Sequence, residues 1–183
     1  LQLGYKSKAW NATLAYVNQY TDGISAAIGE EADLLNRNKF RANLTYSPSS
    51  HWDFTFSSYK DYFRGEIDNG ANLDTPFVEF SSKQWRNAFE IKHQYGQGGK
   101  GSIGARFSLA TIDRLFPSFL FETNSDVETL DLFNKHEWSS RLYTLAGLNI
   151  VRFKTALGGE DFNSSNTDPY FSLVYLGEKG FNL

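Results

Sequence analysis

Cysteine and methionine are both absent from the 183 residues. Without cysteine there are no disulfides, no thiolate metal centres and no cysteine nucleophiles. Without methionine, Leu1 is not a translation start, so the expectation is a processed or trimmed chain from which any signal peptide is gone. No run of about 18 apolar residues occurs, which excludes a transmembrane helix. Charge of one sign is also lacking: 18 basic residues face 21 acidic ones, a net −3, which argues against nucleic acid as the main partner. No Gly-x-Ser-x-Gly elbow is present. The glycine-rich run at 96–102, GQGGKGS, lacks the order of a phosphate loop. His51, His93 and His136 have no metal-ligand spacing, and paired carboxylates occur only in connections, as Glu30-Glu31 and Glu160-Asp161. No enzyme is expected, and no cofactor is required.

What is present is alternation. Over Asn38 to Phe63, Phe40, Ala42, Leu44 and Tyr46 alternate with Lys39, Arg41, Asn43 and Thr45. After a Pro48-Ser49-Ser50 turn, Trp52, Phe54 and Phe56 alternate with Asp53, Thr55 and Ser57. A period of two places one set on each face of a sheet. Similar segments lie at residues 1–6, 10–20, 85–95, 103–109, 137–145, 151–157 and 170–175, making nine strands. Phe181-Asn182-Leu183 starts a tenth. Aromatics form 16% of the chain while the mean hydropathy is −0.45, as expected where each apolar residue is diluted by a polar neighbour.

Short turns are expected near residues 7, 48, 97, 148 and 178. Long connections are expected at 21–37, with a short helix within Ile24–Arg37, and at 64–83, 112–135 and 158–168. Outer-membrane barrels sort their loops in this way, and strands of about ten residues cross a bilayer at a tilt. Both ends fall inside strands and would leave unpaired edges. The expected fold is therefore all-β, an antiparallel up-and-down transmembrane β-barrel of which 1–183 forms about nine strands. Leu14, Leu44, Phe54, Phe56, Phe107 and Phe153 are expected to face lipid. Trp10, Trp52, Trp85 and Trp138 are expected in the interfacial girdles.

The four long connections hold 16 of the 21 acidic residues and five of the 18 basic ones. The polar strand face is mainly basic, with Lys39, Arg41, Arg86, Lys92, Arg106, Arg152 and Lys154. Solvated loops and a wet wall account for this sorting without a ligand. The functional reading is an acidic mouth above a basic wall that attracts anions. Asp22 and Asp33, beside Glu30 and Glu31, carry oxygens suited to calcium, without the spacing of a calcium loop. Asp68, Asp74, Glu160 and Asp161 are the acidic candidates for ligand contact. The apolar segment Leu115 to Phe121 reads as a packed knot or as a ligand-contacting patch presenting Phe119 and Phe121. The sequons at Asn11, Asn43 and Asn163 match a degenerate motif, and the first two fall within strands.

The run TYSPSSHWDFTFSSYKDYF, the earlier KAWNATLAYVNQYTDGI and the later YTLAGLNIVRFKTALGGEDFNSSNTDPYFSLVYLGEKGFNL resemble the β-barrel of TonB-dependent outer-membrane receptors. The resemblance covers most of the chain through loose patterns. It implies a barrel of about 22 strands plugged by an N-terminal domain, and energy-coupled uptake of a scarce ligand. That ligand would be a siderophore–iron complex, haem, cobalamin or an oligosaccharide. The partners implied are the outer-membrane bilayer and the TonB complex. No plug or TonB-contacting segment is seen in these residues. A passive porin, a small self-contained membrane barrel and a soluble lipid-binding barrel are the alternatives. The soluble form would turn its apolar face inward.

Overall fold

The computed structural model describes residues 1–22, 34–66, 79–117 and 121–177. They form a single antiparallel sheet in which each strand pairs with its sequence neighbours, in the order β1 to β9. The strands are β1 (Gln2–Lys6), β2 (Trp10–Asp22), β3 (Leu34–Ser49), β4 (Trp52–Glu66), β5 (Glu79–Tyr95), β6 (Gly101–Phe116), β7 (Phe121–Ser139), β8 (Leu142–Leu157) and β9 (Glu160–Tyr175). A 3-10 turn, Gln97–Gly99, joins β5 to β6. β1 and β9 do not pair, so the sheet is open. No described helix is long and apolar enough to cross a membrane, which says nothing about strands.

The register assigns two faces. On the first, Leu14 pairs with Ala42 and Leu44 with Phe56. Phe56 then aligns with Phe89, Phe107, Leu130 and Ile150 on successive strands. This is the apolar face. The second carries Arg41, Tyr59, Arg86 and Ala110 in one row, and is called the basic face below. One chain thus makes a wall one residue thick, because period-two alternation is propagated by neighbour pairing.

The apolar face is apolar over only part of its height. Near the 50–51 turn it begins with a row of rings. Trp10 stacks on Tyr46 at 4.3 Å, Trp52 on Phe54 at 6.0 Å, and Trp52 meets His93 at 4.3 Å. His136 meets Trp138 at 4.5 Å, and the Trp138 indole donates to Thr144 Oγ1 at 3.2 Å. The band ends at a second level marked by Phe40 and Trp85, where the Lys60 ammonium lies 5.9 Å over the Trp85 ring. From Trp52 to Lys60 the chain rises about 27 Å at about 3.4 Å per residue. A tilt of about 40° reduces that to about 21 Å, close to the apolar height of outer-membrane barrels. The four tryptophans therefore stand at the two borders of the band. Among the described residues, the segments within it are 10–16, 40–46, 52–60, 85–93, 103–109, 130–136, 144–150 and 167–173.

Past Lys60 and Trp85 the strands continue, and the face that was apolar becomes mainly polar. Thr111 Oγ1 donates to Asp126 at 2.8 Å, Asn124 bonds Asp113, and Arg64 pairs with Glu79. This explains several departures from expectation. Most of the 112–135 connection is β7, and all of 158–168 except the Gly158-Gly159 turn is strand. A strand polar on both sides reads as a loop, but here it is paired on both edges. Gly158 and Gly159 have φ of 59° and 88°, the two left-handed positions of a tight hairpin turn. The strand expected at 137–145 straddles the turn at 140–141. Residues 147–149, expected as a turn, lie inside β8. Of the expected helix, Leu34 to Arg37 begins β3 and the rest lies outside the described residues, as does the stub at 181–183.

One phase error follows. In β8 the apolar face is Ala146, Leu148 and Ile150, which pair with Asn134, Leu132 and Leu130. Phe153 pairs with Val127 and so belongs to the basic face, while Arg152 and Lys154 lie on the apolar face beyond the band. Apolar residues occupy both phases of this strand, and a slip of one residue exchanges the faces. Leu14, Leu44, Phe54, Phe56 and Phe107 share the apolar face as expected.

Candidate functional site

The ends of β3 to β7 away from the short turns bring four phenylalanines onto the basic face. Phe63 of β4 lies 5.6 Å from Phe80 of β5. Phe80 lies 4.5 Å from Phe116 of β6, and Phe116 meets Phe121 of β7 edge-on at 5.8 Å. Ring contacts of this kind add about 0.5–1.5 kcal/mol each beyond area burial. With Arg37, Asp61, Gln84 and Arg114 they line a concavity of about 540 Å³, within the range of ordinary small-molecule sites.

The polar edge of the site is preset. Arg37 of β3 donates from Nε to Asp61 Oδ1 at 3.0 Å and from Nη2 to Asp61 Oδ2 at 2.6 Å. The Tyr59 hydroxyl donates to the same Oδ2 at 2.7 Å. Asp61 is only 6% exposed, so three charge-assisted hydrogen bonds satisfy a carboxylate with little access to water. Arg37 and Asp61 lie past the border of the apolar band, with Tyr59 at that border. The Arg37 fork holds the Asp61 carboxyl below the usual carboxylate range, against the opposing effect of burial, and the Tyr59 hydroxyl adds to the lowering. Arg114 is exposed and has no anionic partner among the described residues. Below the site, Arg41 lies over the Tyr59 ring at 5.7 Å, and Arg86 and Arg106 lie beside it, in no ion pair among the described residues. The arrangement offers flat apolar rings and unpaired guanidinium forks, which suits an anion with planar or aromatic parts.

The ion pair gives a prediction. Arg37→Ala leaves a buried carboxylate without its partner. The expected destabilisation is about 2 kcal/mol, below the full cost of breaking a buried pair because Arg37 is partly exposed. Removing Asp61 as well should restore most of it in a double-mutant cycle of urea midpoints. Because the folded-state pKa of Asp61 is lowered, its stabilisation is fully present above the unfolded value of about 3.9 and is lost as pH falls below it. The wild-type midpoint should exceed that of Asp61→Asn by a constant amount from pH 5 to 8, and the gap should close below about pH 4.

Of the residues proposed from sequence, Phe121 joins the site. Glu160 and Asp161 are exposed at the start of β9 and, as consecutive strand residues, fall on opposite faces, so they do not converge. Asp22 ends β2. Asp33, Asp68, Asp74 and Phe119 lie outside the described residues, as do Glu30 and Glu31. Among the described residues no three His, Cys, Asp or Glu side chains gather at metal-binding distance. Sequence reasoning missed Phe63, Phe80 and the Arg37–Asp61–Tyr59 cluster, and held Phe116 only as a member of the Leu115 to Phe121 segment. The signal was available in part: Tyr59, Asp61 and Phe63 continue the polar phase of β4 with two aromatics where small polar residues had preceded them.

No protein-family model matches the chain. It is 28% identical over 122 residues to a protein named probable polyketide synthase 34 of Dictyostelium discoideum, covering 64% of this chain and 4% of that protein. It is 33% identical over 72 residues to probable polyketide synthase 33 of the same organism, covering 37% of this chain and 2% of that protein. The chain thus spans a few per cent of the length of the curated relatives it matches.

Proposed function

We propose that the chain forms part of the wall of a bacterial outer-membrane receptor of the TonB-dependent kind. Its apolar face meets lipid and its basic face lines the lumen. Its role is energy-coupled uptake of a scarce ligand, with a TonB complex as partner through a plug domain. The observation that carries the membrane half is the exposed apolar band between two aromatic borders. Leu14 is 46% exposed, Phe56 43%, Phe89 44% and Phe107 44%. Among the described residues the buried apolar side chains are only Ala88 and Ala110. A compact soluble chain of 20.8 kDa would expose about 9,000 Å², whereas this one exposes 12835 Å². A sheet with one greasy, exposed face is suited to a hydrocarbon solvent, and closure with further strands would satisfy its edges.

The receptor half rests on the aromatic and cationic site at one end of the basic face. It favours a planar, anionic chelate over a neutral sugar. No catalysis is assigned to the chain, and calcium in the loops is an optional ligand. The test is uptake by cells carrying the complete gene or a disruption of it. Ferric chelates, haem, cobalamin and maltodextrins would be offered with and without a protonophore. Loss of accumulation on disruption and on collapse of the proton gradient is expected for one of the four. Phe116→Ala with Arg114→Ala should lower surface binding of that ligand at least tenfold at unchanged protein level. Equal, energy-independent entry of unrelated small solutes would instead identify a passive porin.

A further inference from the structure

On the basic face, directly behind the Phe56 and Phe89 row, the side chains become small. Asn43, Ser57, Ala88 and Ser108 stand in register on β3 to β6, and Ala88 is buried. Over this floor lies a hollow of about 400 Å³ that three arginines line. Arg41 and Arg86 come from the next row toward the phenylalanine site, with Tyr59 between them. Arg106 comes from the row on the other side, where it stands opposite Glu90 and Asp131. None of the three is in an ion pair among the described residues. The nearby carboxylates are engaged elsewhere or turned away. Asp61 is held by Arg37 and Tyr59, and Asp131 accepts from the Tyr170 hydroxyl at 3.1 Å. Glu90 does not line the hollow. The Tyr59–Asp61 bond also fixes the ring over which Arg41 lies. Like charges gathered over one concavity repel each other, and a cleft lined by one sign concentrates ions of the other.

We propose that this hollow binds a compact solute carrying two or more linked oxyanion groups, at a second site distinct from the phenylalanine cluster. The inference requires that the basic face be wet, and does not require energy coupling. Guanidinium forks match phosphate and carboxylate oxygens bidentately, which sets the chemistry of the groups. Their spacing sets the number. Arg41 and Arg86 start about 10 Å apart, across two strand spacings, and Arg41 and Arg106 about 20 Å apart. A single oxyanion bridging the outer pair would need both side chains fully extended. Two linked groups span the gap with the side chains relaxed. The lining selects against flat apolar ligands. Tyr59 is the one ring on its wall among the described residues, and Arg41 lies over that ring. The phenylalanine site offers rings with a cationic edge, whereas this hollow offers charge over a floor of small polar side chains.

The experiment is calorimetric titration of the whole protein in mild detergent, in a buffer free of phosphate and carboxylate. Pyrophosphate and tricarballylate are the linked probes, and methyl phosphate and acetate the single-group ones. One linked probe is expected to bind at least tenfold more tightly than its single-group counterpart, and to weaken as sodium chloride is raised. The tighter of the two tells phosphate from carboxylate. Arg86→Gln and Arg106→Gln should each weaken it at least tenfold. Arg114→Gln, in the phenylalanine site, should leave it unaltered. Without probe, the urea midpoints of Arg86→Gln and Arg106→Gln should not fall below wild type, since each removes repulsion and no partner. No binding by the wild type, or binding that both of these variants leave intact, overturns the site. So does loss on Arg114→Gln alone, which would place the anion among the phenylalanines. A marked fall in either midpoint without probe also overturns it, because that guanidinium then has a partner within the protein. Insertion into lipid vesicles is measured in parallel. Binding without insertion overturns the membrane reading and leaves the hollow standing, and insertion without binding does the reverse.

Discussion

Phe107→Arg should destabilise the protein in a bilayer by about 2–4 kcal/mol, the cost of a guanidinium at mid-depth on the lipid side of a barrel. Phe153→Arg should cost a fraction of that. The two side chains are similarly exposed, 44% and 38%, so lost packing is comparable and the difference reports hydrocarbon around Phe107 against water around Phe153, which stands on the other face and past the border of the band. Phe107 sits in the row Phe56, Phe89, Phe107 and Leu130 at the centre of the apolar band. Phe153 pairs with Val127 and Ser164 on the basic face, where an arginine would meet water. Urea titrations in lipid vesicles would measure both. Equal costs would mean that Phe107 does not face hydrocarbon.

The second large effect is expected at Gly147, in the middle of β8. The hydroxyl end of the Tyr170 ring lies over it, and a Cβ there would overlap both that ring and the carbonyl oxygen of Leu132. The ring can move, but it is held by the Tyr170 hydroxyl, which donates to Asp131 at 3.1 Å. The carbonyl belongs to the neighbouring strand and cannot move without opening the sheet. Gly147→Ala should therefore cost about 3 kcal/mol or more, at the upper end of overpacking effects. Adding Tyr170→Ala should recover only the part due to the ring. Gly158→Ala supplies the contrast. Nothing lies near its Cβ, but φ is +59°, so the penalty is the about 1–2 kcal/mol of a left-handed backbone. Urea midpoints of the three variants decide the order. A Gly147→Ala midpoint at or above that of Gly158→Ala would show that β8 and β9 are not packed as described.

The strand framework was legible where one phase was apolar and the other polar. Residues 10–16, 40–46, 52–57, 85–93 and 103–109 met that condition, and the register places them as expected. It failed where the medium changes along a strand. Beyond the border marked by Trp85, both faces meet water and the period-two signal vanishes, so β7 and β9 looked like acidic connections. It failed again in β8, whose Leu145, Leu148, Ile150, Val151 and Phe153 occupy both phases. The site was legible only through the Leu115 to Phe121 segment, which supplies Phe116 and Phe121. The remaining rings gather through cross-strand neighbours that no local pattern encodes, and Arg37 meets Asp61 across 24 positions of sequence.

Among the described residues each strand pairs its backbone only with its immediate predecessor and successor along the chain. The sheet is therefore modular in pairs. Excising two consecutive strands would rejoin the chain with up still following down, both surfaces in phase, and each kind of connection on its own border. Excising one strand would reverse the direction of everything after it. A wall of this construction can be widened or narrowed in evolution by whole hairpins, and its circumference can change without redesign of any surviving strand.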